Sequence, residues 1–412
     1  MKQTDVAIVG AGPAGVFAAL FLAKYGIKCI LIDKQKFPRD KICGDGISGW
    51  VLTILNELDK KLLAKLSQQD FLVHSHGMRV VAPNSAILDL PFMDDSSFEK
   101  GIPPGFICRR IDFDNFMMEE ARSHPEIEVL EEVEITEYHK GNKGVFLNSK
   151  NKDAQISAKM VIFANGVTSK FMKDPGGIQK DKKFTMTGIR AYYKGISDCH
   201  PQNYVELHFI KNLLPGYFWI FPLPNGTANV GVGLDRYRIG KKKINLKKTM
   251  LEAIETNPYL KERFKNAEMI NGIQAYQLPL WDGRRKLSGE RYMLAGDAAS
   301  LVDPVTGEGI GHAVISGMLA AKQAKRSLEE NNFSADFMNQ YDDSFYKKIG
   351  KELDISIKIP RFIQHKWLFN MVVNKASKSK ILKEKLMLAM TDLEERKDLK
   401  NPMLYLKIML GM

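Results

Sequence analysis

The feature that most restricts the fold is a glycine turn near the start of the chain, Gly10-Ala11-Gly12-Pro13-Ala14-Gly15. It follows a run, Asp5 to Val9, that reads as a buried strand. It leads into Val16 to Tyr25, which reads as an amphipathic helix stopped by Gly26. A second apolar strand, Lys28 to Ile32, ends at Asp33. This is the start of a βαβ unit. In such a unit Gly10 permits the tight turn, Gly12 lets the backbone approach a pyrophosphate, and Gly15 lets helix and strand pack closely. The helix N-terminus presents free N–H groups and a positive dipole end to phosphates. Asp33 lies 23 residues after Gly10, where a carboxylate accepts from ribose hydroxyls. Pro13, Ala14 and Lys34 complete the expected dinucleotide-contacting set. The turn alone does not separate FAD from NAD.

A second motif far along the chain chooses FAD. Tyr292-Met293-Leu294-Ala295-Gly296-Asp297 reads as a strand that delivers Asp297 to a turn, where it can hold a ribityl hydroxyl. Asp303-Pro304-Val305-Thr306-Gly307-Glu308-Gly309-Ile310 then opens a long helix, Gly307 to Leu328. Gly307 and Gly309 let the backbone approach the isoalloxazine edge. The helix N-terminus then sits where reduced flavin carries negative charge. Pro304 and Ile310 belong to the same cradle. His312, just inside the helix, is assigned to packing.

Two further segments carry a family resemblance. Phe37-Pro38-Arg39-Asp40-Lys41-Ile42-Cys43-Gly44-Asp45-Gly46-Ile47 resembles the "FPRxKxCG" segment of the geranylgeranyl reductase family. Pro215-Gly216-Tyr217-Phe218-Trp219-Ile220-Phe221-Pro222, followed by Asn229-Val230-Gly231-Val232-Gly233, is similar to that family's "YxWxFP" segment and its next strand. Arg110-Ile111-Asp112-Phe113-Asp114 resembles the family's "RxxFD" element. These motifs span the chain from Met1 to about Arg326 and leave the tail unmatched. The family lies in the para-hydroxybenzoate-hydroxylase-like flavoprotein superfamily and saturates isoprenoid double bonds. The resemblance implies that Arg39 and Arg110 help hold FAD. It implies that Cys43 to Gly46 (Cys43, Gly44, Asp45 and Gly46) line the flavin face near the alkene, and that Tyr217, Trp219 and Phe221 line a prenyl channel. An isolated alkene accepts hydride poorly, so a proton donor is needed nearby. Cys43 and Tyr217 are the two residues expected to serve. The same residues admit blander roles: Cys43 as a small buried loop residue, and Tyr217, Trp219 and Phe221 as alternating core positions of a sheet.

One departure bears on the competing chemistry. Ala164-Asn165-Gly166-Val167-Thr168-Ser169 resembles the superfamily's "ADGxxS" element, with Gly166 on the cofactor side and Asn165 where Asp is usual. That Asp is tied to NADPH use in aromatic hydroxylases. A flavin monooxygenase or halogenase of the same fold is the alternative, although halogenases carry "WxWxIP" where this chain has Tyr217, Trp219 and Phe221. A non-catalytic flavin carrier is the third class. No second glycine fingerprint supplies a nicotinamide domain, so the electron donor is NADPH bound transiently or a ferredoxin.

The expected architecture is α/β, in three parts. A discontinuous Rossmann-type FAD-binding domain takes residues 1–75, 100–170 and 286–330. An antiparallel-sheet substrate domain takes 76–99 and 171–285, and a helical region takes 331–412. Alternation in Thr187 to Tyr193, Tyr204 to Phe209 and Thr227 to Leu234 predicts a sheet with one exposed face. Val129 to Tyr138 and Lys143 to Leu147 predict a hairpin, and Phe106 to Arg110 a strand before the helix Phe113 to Ser123. Asn245 to Asn266 predicts a basic helical segment that interrupts the sheet.

Charge and cysteine content narrow the partners. The formal net charge of +12, from 60 Lys and Arg against 48 Asp and Glu, allows nucleic acid or an anionic surface. No zinc-finger spacing, RRM-like motif or recognition helix supports nucleic acid. Cys29, Cys43, Cys108 and Cys199 show no CxxC spacing, so no metal site is expected, and so few suggest a reducing compartment. Val6 to Ala23 is uncharged and mimics a membrane span, but its glycines fit the turn better. The abrupt start of the chain argues against a signal peptide, which points to a cytoplasmic protein. Trp367, Leu368, Phe369, Met371 and Val372, between Lys366 and Lys375, form a basic amphipathic patch. Leu404, Leu406, Ile408, Met409 and Leu410 surround Lys407 in the same way. Such helices lie on the anionic inner face of a membrane or cap a domain.

Overall fold

The computed structural model describes residues 1–92, 102–151, 153–179 and 181–391. Its first sheet grows from the N-terminal strand Lys2–Val9, which pairs in parallel with Cys29–Ile32 on one side and Gln155–Phe163 on the other. Ile127–Leu130 and Tyr292–Leu294 extend it in parallel, and Ser288–Gly289 adds an antiparallel edge. A parallel sheet is covered on both faces, so its strands read as unbroken apolar runs. All four residues of Cys29–Ile32 are buried accordingly.

The helix Pro13–Lys24 is not amphipathic as expected. Every residue from Ala14 to Ala23 is buried. The reason is a second helix, Ile310–Glu329, which covers the face that would otherwise meet water. The two approach closely because Gly317 has no side chain: a Cβ there would sit 2.1 Å from the Ala14 carbonyl oxygen.

The second sheet runs Glu268–Met269, Thr185–Lys194, Thr227–Asp235, Tyr217–Leu223, Val205–His208, Gly77–Val81, Ile87–Pro91, with Gln274–Pro279 also on Thr185–Lys194. All pairs are antiparallel except Val205–His208 with Gly77–Val81. The expected exposed face does not exist in its centre. Thr227–Asp235 is buried at eight of nine positions. Helices cover one side, where Phe218, Val230 and Val232 meet Met250 and Leu260. The cavity described below covers the other.

Other expectations shift locally. Val129 to Tyr138 is two strands, Ile127–Leu130 in the first sheet and Ile135–Lys140 in the hairpin with Val145–Ser149. Glu132, at φ 59°, breaks the extended run between them. Gly105–Cys108 is a strand, but in a small third sheet with Gly46–Ser48 and Leu72–His74, and Arg110 already begins the next helix, Arg110–Ser123. The basic segment after 245 is two helices, Leu246–Thr256 and Pro258–Arg263. Asn257 ends the first and caps the second, accepting from the N–H groups of Tyr259 and Leu260.

Candidate functional site

One cavity of about 780 Å³ opens between the two sheets, within the size range of small-molecule sites. The glycine turn forms one end. Gly10 has a φ of 105°, and a Cβ there would lie 2.4 Å from the Ala164 carbonyl oxygen. Gly15 faces away from the cavity, and its Cβ would lie 1.8 Å from the Gly10 oxygen, so it serves packing. A Cβ on Gly12 would meet nothing within 4 Å. That empty space in front of a helix N-terminus is what a pyrophosphate requires. Asp33 accepts from the Ala11 N–H at 2.8 Å and the Gln35 N–H at 2.9 Å, which leaves further lone pairs for a ribose.

The expected cofactor residues mostly share this cavity: Gly10, Gly12, Pro13, Ala14, Asp33 and Lys34 at one end, and Gly166, Gly296, Asp297, Gly307, Gly309 and Ile310 farther along. Pro304 is set back from the wall, like Gly15. Its turn is built by Asp303, whose Oδ1 accepts from the N–H groups of Val305 and Thr306. His312 is buried and bonds the Leu301 carbonyl oxygen through Nδ1 at 2.7 Å, a packing role.

Arg39 and Arg110 line the cavity while sharing one carboxylate. Asp114 accepts from Arg39 Nη1 and from Arg110 Nε and Nη2, each at 2.7 Å. Burial works against the Asp114 charge, but the Arg110 and Arg39 guanidiniums win and hold its carboxyl below the usual range. Two cations against one anion leave a net positive charge beside the cofactor space. Lys41, which the motif contains but the sequence reading gave no role, adds to it. Its ammonium lies 3.3 Å from the centre of the Tyr276 ring. Burial lowers its pKa to about 8, against the pull of Asp297. These residues fit an anionic dinucleotide.

At the other end, Tyr217, Trp219 and Phe221 project from alternate positions of one strand into the same cavity. Glycines make room for the indole. A Cβ on Gly231 would lie 2.2 Å from Trp219 Cζ2, while Cβ atoms on Gly188 and Gly233 would just touch the ring at 3.7 Å. The Tyr217 hydroxyl donates to the Thr306 carbonyl at 2.5 Å. Burial pushes its pKa well up. Cys43, Gly44 and Gly46 line the facing wall, with Gly44 and Gly46 against the Phe221 ring. Burial also raises the Cys43 thiol, which Arg110 opposes and Asp45 reinforces.

Asn229, Tyr192 and Glu308 had no role in the sequence reading, and Asp45, expected on the flavin face with Cys43 to Gly46, is instead buried behind it and does not line the cavity. Asp45, Asn229 and Tyr192 form a buried cluster behind Cys43 and Trp219. Asp45 and Asn229 stood inside the quoted motifs, but only the fold shows that they meet. Glu308 lines the cavity, accepts from the Gly311 N–H at 2.5 Å, and is raised by burial. Among the described residues no group of three or more His, Cys, Asp or Glu is placed to hold a metal ion.

This geometry, a dinucleotide cradle joined to an aromatic-walled chamber, defines a flavoprotein. The chain belongs to the FAD-binding domain family, whose model matches residues 3–330. Among curated proteins it is similar to digeranylgeranylglycerophospholipid reductase of Thermoplasma volcanium, 28% identical over 358 residues that cover 84% of this chain and 85% of that protein. The like-named protein of Methanosarcina acetivorans is 28% identical, with 86% and 83% covered. Among solved structures it resembles a geranylgeranyl bacteriochlorophyll reductase-like protein of Thermoplasma acidophilum, with TM-score 0.81 and 26% identity, over 97% of this chain and 99% of that one. A flavin-dependent halogenase at 22% identity shares the fold, with TM-score 0.72 over 88% of this chain and 66% of its own.

Proposed function

We propose that this chain is an FAD-dependent reductase that saturates carbon–carbon double bonds of a polyprenyl lipid of geranylgeranyl type. The observation that carries the reading is the single cavity in which Tyr217, Trp219 and Phe221 face Cys43 and Gly44, continuous with the FAD cradle. Bound FAD supplies the hydride. The chain supplies the rest. The cradle residues orient the cofactor, the aromatic wall excludes water and aligns an apolar chain, and a side chain gives the proton. Of the two expected donors, Cys43 is favoured. Its thiol stays protonated, whereas the Tyr217 O–H is committed to the Thr306 carbonyl. One hydride and one proton added across the bond leave it saturated.

The names of the relatives make a digeranylgeranylglycerophospholipid the first substrate to try. NADPH or a ferredoxin is the proposed electron donor. The inner face of an anionic membrane is the proposed place of work for a cytoplasmic enzyme. The division proposed for the chain is an FAD part at 1–75, 100–170 and 286–330, a substrate part at 76–99 and 171–285, and a helical part beyond 330.

The test is anaerobic. Chemically reduced protein is mixed with a panel of prenyl lipids, while flavin reoxidation and lipid mass are followed. A gain of two hydrogens per reoxidised flavin is expected, and Cys43→Ser should slow it with FAD still bound. No mass gain without air, but an oxidised or halogenated product with air, would move the protein to the monooxygenase or halogenase class.

A further inference from the structure

The facing walls that carry Cys43 and Trp219 are joined from behind by a cluster around a carboxylate that does not line the cavity. Asp45 is fully buried, at φ 69° in a left-handed conformation that Asp and Asn tolerate better than other side chains. Its Oδ2 accepts from Asn229 Nδ2 at 2.7 Å and from the Tyr192 hydroxyl at 2.8 Å. Its Oδ1 accepts from the Arg110 N–H at 3.3 Å. Asn229 Nδ2 also donates to the Cys43 carbonyl at 2.7 Å, and Asn229 Oδ1 accepts from Trp219 Nε1 at 2.9 Å. One amide therefore ties the cysteine loop to the indole of the facing wall. An ionised carboxylate only accepts, so Asp45 dictates which way that amide faces. With the amide reversed, its oxygen would meet a carboxylate and its NH₂ would meet an indole N–H.

We propose that Asp45 and Asn229 are positioning residues of this site: together they set Cys43 and Trp219 relative to one another, with the Asp45 carboxylate bonded to the same amide that holds the Cys43 carbonyl. The charged groups around the sulfur divide clearly. Burial, the largest influence, and the Asp45 carboxylate favour thiol, while Arg110, Lys41 and a hydrogen bond from the Asp45 backbone favour thiolate. Arg110 is itself largely answered by Asp114. Burial pushes the Asp45 carboxyl up to about 6, against the hydrogen bonds from Asn229 and Tyr192 and the nearby Arg190 charge. Above that pH it is an anion two residues from the sulfur. Without it, burial alone would oppose Arg110 and Lys41 at the sulfur, and the thiol would titrate lower.

This deepens the reductase reading and rests on Cys43 facing the substrate, but its main test needs no lipid. In flavin-loaded protein, alkylation of each cysteine by iodoacetamide is followed against pH by peptide mapping. Asp45→Asn keeps the left-handed backbone and removes the charge. Cys43 should then react about tenfold faster at pH 8, the effect of a one-unit shift in its titration, while Cys199 reacts as before. Asn229→Ser keeps the charge but cuts the tie. It should leave the Cys43 titration in place and slow the single-turnover rate of reoxidation by saturating lipid roughly tenfold, as expected when reacting groups lose alignment. A Cys43 profile in Asp45→Asn that superimposes on the native one overturns the proposal, as does native reoxidation kinetics in Asn229→Ser. If Asp45→Asn does not retain flavin, the Asn229→Ser arm decides. If native protein reduces no lipid, the reductase reading fails while the alkylation result still stands or falls alone.

Discussion

A side chain at Gly12 would meet no atom of the protein within 4 Å, whereas one at Gly15 would collide with the Gly10 carbonyl at 1.8 Å. Two glycines of one motif therefore do different work, one leaving room for phosphate and the other letting helix and strand pack. Gly12→Val should fold, with a thermal transition close to the native one measured without flavin, yet purify colourless and bind no added FAD. Retained yellow colour at normal occupancy would contradict the phosphate-turn reading. Gly15→Val should lose soluble protein altogether. These roles were readable from spacing, because a turn imposes its conformational demands on neighbours in sequence. The Asp45–Asn229 bond was not. Its partners lie 184 positions apart, and neither residue type announces a buried partner.

At the scale of elements, the strand Tyr217–Leu223 shows what alternation cannot say. The period of two was correct, and Tyr217, Trp219 and Phe221 do share a face. Neither face meets water. Phe218 and Ile220 pack against helices, and the other face closes a cavity. The neighbouring strand keeps glycine at positions 231 and 233 so that the indole of Trp219 can lie flat. Gly231→Ala would place a methyl group 2.2 Å from both Trp219 Cζ2 and the Ile189 carbonyl oxygen. It should destabilise by about 1–3 kcal/mol, the usual range for overpacking, measured by denaturant unfolding of the flavin-loaded protein. It should also weaken binding of prenyl lipid more than binding of FAD. Equal stability of variant and native protein would mean that the ring is not seated as described.

On the scale of the whole molecule, the C-terminal helices divide the apolar patch that the sequence presents as one. In Lys366–Ala376, Val373 and Ala376 are buried, and Phe369 packs on Phe209 with ring centroids 4.6 Å apart. Trp367, on the same helix, is 64% exposed, and Ile381 on the next is 70% exposed. Met387 reaches the cavity itself. The region is thus a cap over the sheet that also offers aromatic and aliphatic groups among lysines. The second apolar cluster, Leu404 to Leu410, lies outside the described residues. Among those described, no helix is long and apolar enough to cross a membrane. Flotation with vesicles containing anionic phospholipid should recover the protein, less of it at high salt, and Trp367→Ala should reduce the recovered fraction without changing flavin content. No recovery on anionic vesicles would leave the helices as a cap alone.

The sequence by itself determined the dinucleotide unit, the choice of FAD and the aromatic strand. Each of these is written in residues close enough along the chain to share one turn, one strand or one helix end. The tertiary structure decided what distance along the chain conceals. It buried the first helix on every side, covered both faces of the second sheet at its centre, and gave Arg39 and Arg110 a common carboxylate in Asp114. It also placed Asp45 and Asn229 behind the two walls of one cavity. Burial and hydrogen bonding are properties of neighbours in space. In a chain whose sheets join segments more than a hundred residues apart, such as Lys2–Val9 with Gln155–Phe163, those neighbours exist only once the fold has closed.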